Sequence, residues 1–221
     1  MNDIKYTKYP RTCHLPYSLS VSEDDIQNLT DEHFYNKEVI VTEKLDGENT
    51  TMYFDHIHAR SIDSKHHPSR NWVKTFWNGI KNDIPKNFRI CGENLFTKHS
   101  IFYDKLSTYF YVFGIYEDDR CLSWNETTEW CSILGLEHVP VLYEGIYNIE
   151  LVKKCFTGKS MLGQEQEGFV VRVRNSFNIE NFKTCCNKFV RKNHITTDDH
   201  WMHQKIIMNK LIELPDKMEL R

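Results

Sequence analysis

The sequence predicts an α+β fold of mainly antiparallel sheets flanked by helices, and three observations carry the prediction. Short runs rich in β-branched and aromatic residues recur along the chain. Several of these neighbours are joined by too few residues for a crossover helix, so they must pair antiparallel. Between them lie stretches with helix caps or an apolar period near four, which place helices beside the sheets. Neither an internal repeat nor a low-complexity linker divides the chain, so residues 1–221 are expected to form a single domain.

Taken in order, "SEDD" at residues 22–25 has the composition of a short helix opening on a Ser cap. Strands follow in "EVIVTEK", "TTMYF" and "IHARS". In "SRNWVKTFWNGIKN", Trp72, Phe76 and Ile80 recur every four residues and form one helical stripe. "FRICGEN" and "YFYVFGIY" read as two more strands. "SWNE", Ser123 to Glu126, is a capping box that leads a helix to a C-cap at Gly135. "HVPVLY", "GFVVRVR" and "NKFVRK" complete the strands. A last helix is expected over about 197–214, with Met202, Ile206, Ile207 and Leu211 inward and Pro215 beyond its end.

Composition bounds the function. With 221 residues, 40% hydrophobic and 13% aromatic, the chain can bury one good core and is not a disordered tail. No apolar run is long enough to span a membrane, and "MNDIKYTKYP" lacks the apolar centre of a signal peptide, which together read as an intracellular protein with no membrane partner. The 7 cysteines are odd in number, include a vicinal pair and show no C-x-x-C spacing, so reduced thiols are expected. A formal charge of −3 argues against coating long nucleic acid but allows a small footprint on a strand end. Basic residues cluster in "KTCCNKFVRKNH", where Lys183, Lys188, Arg191 and Lys192 have no acid among them; a solvated basic face is the commoner outcome for such a run.

The chemistry points to "VTEKLDGENTT", where Lys44 stands between Glu43 and Asp46 at the end of a strand-like run. A lysine at its ordinary pKa of about 10.4 is protonated and a poor nucleophile at neutral pH. Two adjacent acids alone would raise that pKa further. The pattern makes chemical sense only if cations, from metal or side chains, converge on the same spot.

"EKLDG" resembles the K-x-D-G signature of the covalent nucleotidyltransferases, the DNA ligases, RNA ligases and mRNA capping enzymes, and five companions stand in that superfamily's order. "HARS" supplies Arg60, "RICGENL" supplies Glu93, "YFYVFGIY" resembles the aromatic strand, "EQEGFVVRV" matches the Glu-Gly motif through Glu167 and Gly168, and "NKFVRK" sits where the lysine motif belongs. Together with "HSIFYDKL" and the N-terminal "YPRTCHLPYS", the set is most similar to RNA ligases.

The resemblance implies a role for each residue. Lys44 would attack the α-phosphate of ATP, expel pyrophosphate and hold AMP as a phosphoramidate. Glu43 or its backbone would sit by the adenine and Asp46 near the ribose or metal, with Gly47 also among the cofactor-binding residues. Arg60 would hold a phosphate or ribose edge, and Phe113, with Tyr111 and Phe110 as rivals, would stack on the purine. Glu93 and Glu167 would bind ribose hydroxyls and Mg2+ or Mn2+, and Lys188 would neutralise charge on the α-phosphate. The family's second lysine is replaced here by Val190; period-two alternation puts Lys192 on the Lys188 face and turns Arg191 away, so the second cation lies between those two. Taken singly, Arg60, Glu93 and Glu167 would more often be surface ion-pair partners and Phe113 core. His66 and His67, with His194, His200 and His203, suggest a metal site, but zinc wants four ligands, and a surface role is the stronger reading.

The stretch from 193 to 221 is too short for the five-stranded OB barrel that DNA ligases and capping enzymes carry after the lysine motif. The implied protein is therefore a stand-alone, monomeric, ATP-dependent RNA ligase acting on RNA ends or a nicked duplex, with an end-processing kinase or phosphatase as its implied partner. The alternatives are a nick-sealing DNA ligase, a guanylyltransferase, or an RNA-end-binding module that no longer turns over. Arg11 and His14 in "YPRTCHLPYS", and Lys192, His194 and Trp201 in "RKNHITTDDHW", are candidates for gripping RNA, against the simpler reading that Tyr9, Leu15 and Tyr17 pack a sheet edge.

Overall fold

A computed structural model of the chain describes residues 6–192 and 206–213. In chain order its elements are β1 (Cys13–His14), β2 (Glu38–Lys44), β3 (Glu48–Met52), β4 (Ile57–Ala59), α1 (Asn71–Ile80), β5 (Phe88–Asn94), β6 (Phe110–Glu117) and β7 (Arg120–Cys121). They continue with α2 (Trp124–Leu134), β8 (Glu137–His138), β9 (Val141–Ile146), α3 (Ile149–Lys153), β10 (Gly168–Val173), β11 (Phe177–Asn178), α4 (Phe182–Cys185) and β12 (Cys186–Val190). The strands form two sheets, one ordered β1-β12-β10-β2-β9 and the other β11-β7-β6-β5-β3-β4 with β8 beside β6. Pairing is antiparallel except for β1 with β12 and β6 with β8, as the short connections require.

Alternation along each strand divides the residues between two faces. In the first sheet Val39, Val41, Phe169, Val171 and Phe189 face a core closed by Leu15, Phe34 and Val152. The opposite face carries Thr42, Lys44, Val170, Arg172 and Lys188 into a cleft shared with the second sheet. On the second sheet, Met52, Ile90, Phe110 and Val112 pack with the α1 stripe of Trp72, Phe76 and Ile80 and with Trp130 and Leu134 of α2. The capping box forms as expected: the Glu126 N–H donates to Ser123 Oγ at 3.2 Å, and Glu126 Oε2 accepts the Ser123 N–H at 2.7 Å. Gly135 ends the helix at φ +64°, a left-handed conformation that suits glycine.

Among the described residues the chain crosses between the sheets four times, and the first two crossings bring Leu45, Gly47 and Val139 to the cleft. Residues 45–47 carry the chain from β2 in one sheet to β3 in the other. The run "HVPVLY" is broken at Pro140, which has no N–H for a ladder, so β8 joins the second sheet and β9 the first.

Two expected helices are not there. Residues 22–25 form a turn, because Ser22 Oγ donates to Asp25 Oδ2 at 2.7 Å instead of capping a helical N–H. Residues 206–213, the described part of the last expected helix, are extended, with Met208 bridging Thr97 and Leu211 bridging Leu106. The buried Asn209 side chain fixes them there: its Oδ1 accepts the Tyr103 N–H at 2.9 Å and its Nδ2 donates to the Leu95 carbonyl at 2.8 Å. Ile206, Ile207 and Leu211 are 40–50% exposed, not inward. Met202 and the rest of that stretch lie outside the described residues. No described helix is long and apolar enough to cross a membrane.

Candidate active site

The cleft between the sheets encloses about 590 Å³, within the usual range for a small-molecule site. Lys44, the last residue of β2, lines it directly opposite Gly168 of β10. A Cβ on Gly168 would stand 1.9 Å from the Phe189 carbonyl oxygen, so only glycine lets β10 and β12 close to this distance. Gly47 is held in the same way: a Cβ there would meet the Asn94 carbonyl oxygen at 2.5 Å. That close approach lets the Gly47 N–H donate to Glu93 Oε1 at 3.0 Å, which ties the β2–β3 connection to β5.

Two acids converge on the lysine. Lys44 Nζ donates to Glu167 Oε1 at 2.5 Å, with the lysine side chain 26% exposed and the glutamate 4%. Glu93 supplies the second carboxylate from β5 and lines the cleft. Burial works against the Lys44 charge, but the carboxylates of Glu167 and Glu93 outweigh it and hold the ammonium above its ordinary pKa. Burial pushes Glu93 up to about 8, opposed by Lys44 and reinforced by the charge of Glu167. Glu43 is also raised by burial, while bonds from Ser160 and the Met161 N–H, the latter at 2.9 Å, support its carboxylate.

The structure brings Glu43, Lys44, Gly47, Arg60, Glu93, Phe113 and Lys188 to the cleft wall, with Glu167 behind the lysine. Arg60 lies past the end of β4 and is exposed. Phe113 is the extra residue of a bulge, since Cys91 opposes Gly114 and Gly92 opposes Val112. The bulge separates it from Tyr111, which is buried with its hydroxyl on Ser107, and Phe110 is spent in the core beside α1. Tyr9 packs edge-on against Phe113 at 4.8 Å between ring centres.

Other expected residues are placed elsewhere. The Asp46 carboxylate accepts the N–H groups of Ser100 and Ile101, both at 2.8 Å, and does not line the cleft. β12 ends at Val190, so strand alternation does not extend to Lys192, which is exposed and off the cleft wall. Arg191 instead pairs with Glu165 at 2.6 Å. His14 is 1% exposed, with Nδ1 2.7 Å from Ser18 Oγ, and so is not a surface side chain. Tyr9 and Leu15 pack inward as sheet-edge residues, while Arg11 stays exposed at the cleft mouth and donates to the Asp24 carbonyl. His66 and His67 bond Asn71 and Ser69, and no group of three or more metal-ligating side chains gathers among the described residues. His194, His200, His203 and Trp201 lie outside the described residues.

The cleft also holds residues that sequence reasoning missed. Arg70 forks onto the Glu48 carboxylate, with Nε at 2.8 and 2.9 Å from its two oxygens. Arg172, buried, donates to the Leu122 carbonyl at 2.7 Å and stands over the Trp124 ring. Its position was available from alternation, because residues 168, 170 and 172 share a face. No local pattern links Lys188 to its partner Asp25, 163 residues away and 3.1 Å from its Nζ.

A cleft between two antiparallel sheets, with a lysine at a strand end between two carboxylates and a second lysine on the same wall, defines a nucleotidyltransferase-type ligase fold. The RNA ligase family model matches residues 37–191, and the chain belongs to that family. Solved structures of an RNA ligase from Naegleria gruberi share the fold. An apo point mutant is 22% identical with a TM-score of 0.52, matching 72% of this chain and 51% of that one. A mutant with ATP and Mn gives 20%, 0.52, 74% and 52%, and the protein with PPi gives 20%, 0.55, 84% and 61%. The chain thus spans only about half to three-fifths of the length of these structures. Comparison with curated proteins gives no match.

Proposed function

We propose that the chain is an ATP-dependent RNA ligase that joins a 3′-hydroxyl to a 5′-phosphate through a lysyl-AMP enzyme and AMP-capped RNA. The observation that carries this reading is Lys44 Nζ, 2.5 Å from Glu167 Oε1 on the wall of a cleft of about 590 Å³. The Naegleria ligase of the same fold was solved with ATP and Mn and with PPi, the reactants and product of such a first step.

Lys44 begins protonated, and Glu167 is the acceptor within reach of its proton. The freed Nζ lone pair attacks the α-phosphorus of ATP. The N–P bond forms as the bond to the bridging oxygen breaks, and pyrophosphate leaves with that electron pair. Lys188, on the same wall, places positive charge where it builds on the α-phosphate oxygens. Phe113 offers a face for the purine and Arg60 a planar fork for a phosphate or ribose edge. Glu93 and Glu167 suit a hard divalent cation, which takes one or two carboxylates plus substrate phosphates; Glu93 is lifted to about 8 chiefly by burial, with the charge of Glu167 adding to it, and such a cation would relieve both. Bound there, magnesium or manganese would offset phosphate charge. In the later steps AMP passes to the RNA 5′-phosphate, and the 3′-hydroxyl displaces it.

Incubation with ATP and magnesium should raise the intact mass by one AMP, and Lys44→Ala should abolish the gain. Subsequent RNA and DNA nicks assign the polynucleotide. A mass gain that survives Lys44→Ala misassigns the nucleophile, preferential labelling by GTP moves the chain to the capping enzymes, and no labelling at all leaves an end-binding module.

A further inference from the structure

We propose that Asp25, on the turn that replaces the expected N-terminal helix, is a positioning residue that holds Lys188 charged and aimed at the α-phosphate. The inference rests on the ligase reading above. Asp25 Oδ1 accepts from Lys188 Nζ at 3.1 Å, and its other oxygen, Oδ2, accepts from Ser22 Oγ at 2.7 Å and from the Ser22 N–H at 3.3 Å. The carboxylate is thus fixed by its own turn before it meets the lysine. His14, beside Lys188 in the β1–β12 register, closes the other side with Nε2 3.3 Å from Oδ2, an approach not aligned for a hydrogen bond.

The turn is itself anchored to the strand that bears the lysine. The Leu15 N–H donates to the Lys188 carbonyl at 2.8 Å, and the Leu19 N–H donates to the Val190 carbonyl at 3.0 Å. Ser18 Oγ accepts the Val190 N–H at 3.0 Å. Farther along, the Asn28 N–H returns to the His14 carbonyl at 2.9 Å. Residues 14–28 therefore form a bracket around Lys188.

Lys188 needs such a partner. Burial and the nearby Lys44 ammonium both lower its pKa, and Asp25 opposes them. Without Asp25 the second lysine of the cleft would lose the carboxylate that favours its charge and the contact that fixes its position. The catalytic consequence is confined to the step in which charge grows on the α-phosphate, so it should appear in kcat for self-adenylation more than in KM for ATP.

The test is a double-mutant cycle between Asp25→Asn, which keeps size and the turn, and Lys188→Ala. Asp25→Asn alone should slow adenylation about tenfold, change KM for ATP by less than about twofold, and add nothing in the Lys188→Ala background. A readout independent of activity is the acylation rate of Lys188 by an amine-directed reagent, measured by peptide mass relative to the exposed Lys65. It should rise about threefold or more in Asp25→Asn, because a less charged amine reacts faster. Additive kinetic effects, a wild-type rate in Asp25→Asn, a lowered KM, or unchanged Lys188 acylation would overturn the assignment. A wild-type chain that never adenylates would overturn the ligase reading instead, and the acylation comparison would still decide whether Asp25 holds Lys188.

Discussion

Gly168→Ala should unfold the site from its backbone outward, and the structure sets the size of the effect. The added Cβ would lie 1.9 Å from the Phe189 carbonyl oxygen and 2.9 Å from its carbon, both backbone atoms that no rotamer change can move. Reaching even a tight contact of 3.0 Å requires β10 and β12 to part by about 1 Å at this point. That strains the Gly168–Val190 pairing and, through Gly168 opposite Lys44, the alignment of the lysine with Glu167. Overpacking of this kind costs about 1–3 kcal/mol, and a weakened ladder bond about 1 kcal/mol more. At about 2–4 °C per kcal/mol for a chain of this size, Tm should fall by roughly 5–15 °C. The control is Gly79→Ala in α1, where an added Cβ meets nothing within 4 Å and alanine is the better helix former by about 1 kcal/mol. Thermal denaturation of both variants checks the reasoning. Equal Tm values for Gly168→Ala and wild type, or a loss in Gly79→Ala to match, would refute it.

Glu93 titrates near 8 when folded against an ordinary 4.5, so the folded chain binds the extra proton between those values and wild-type stability should fall as pH rises from about 4.5 to 8. Glu93→Gln should flatten that slope in chemical denaturation at a series of pH values; an unchanged slope would remove the buried-carboxyl assignment. Ser123→Ala removes the capping box of α2 and should lower stability by about 1 kcal/mol with self-adenylation unchanged, read by Tm and by mass labelling. Leu15→Ala, at a fully buried position against Phe169 and Phe189, should cost about 2–5 kcal/mol, whereas Arg11→Ala at the exposed cleft mouth should leave Tm within about 2 °C of wild type.

The sheets were legible because their rules are local. "EVIVTEK" and "FRICGEN" become β2 and β5 residue for residue, and the Ser123 capping box states its helix in four letters. What was illegible depends on partners distant in the chain. The apolar spacing of Ile206, Ile207 and Leu211 fits a helix, but Asn209, at one position between them, finds Tyr103 and Leu95 and holds the segment extended. Lys192 was placed by a period of two that assumes the strand continues, and β12 stops at Val190. His14 has the charge and aromaticity of an RNA contact, yet β1 pairs with β12 and buries it. The cleft residues came from a different source: Lys44 and Glu167 are 123 residues apart, and motif order, not propensity, joined them.

The placement of a lysine between acids is explained by the division of labour within "EKLDG". Glu43 faces the Met161 N–H and Ser160, so its charge is spent on the loop beside the cleft. Asp46 receives the Ser100 and Ile101 N–H groups while its own N–H donates to the Tyr103 hydroxyl at 2.8 Å, so it fixes the 100–103 segment. Gly47 supplies the room for β2 to cross to the second sheet and the N–H that binds Glu93. The two acids nearest the lysine in sequence thus hold neighbouring loops, and the two with the largest effect on its charge, Glu167 and Glu93, lie far from it in the chain, with Asp46 adding a smaller one. The converging cation that the local pattern required is also supplied from a distance, by Lys188 on β12. Asp46 and Gly47 of the K-x-D-G sequence thus carry hydrogen-bonding and steric duties. Those contacts hold the β2–β3 connection against β5 and the 100–103 segment beside Lys44.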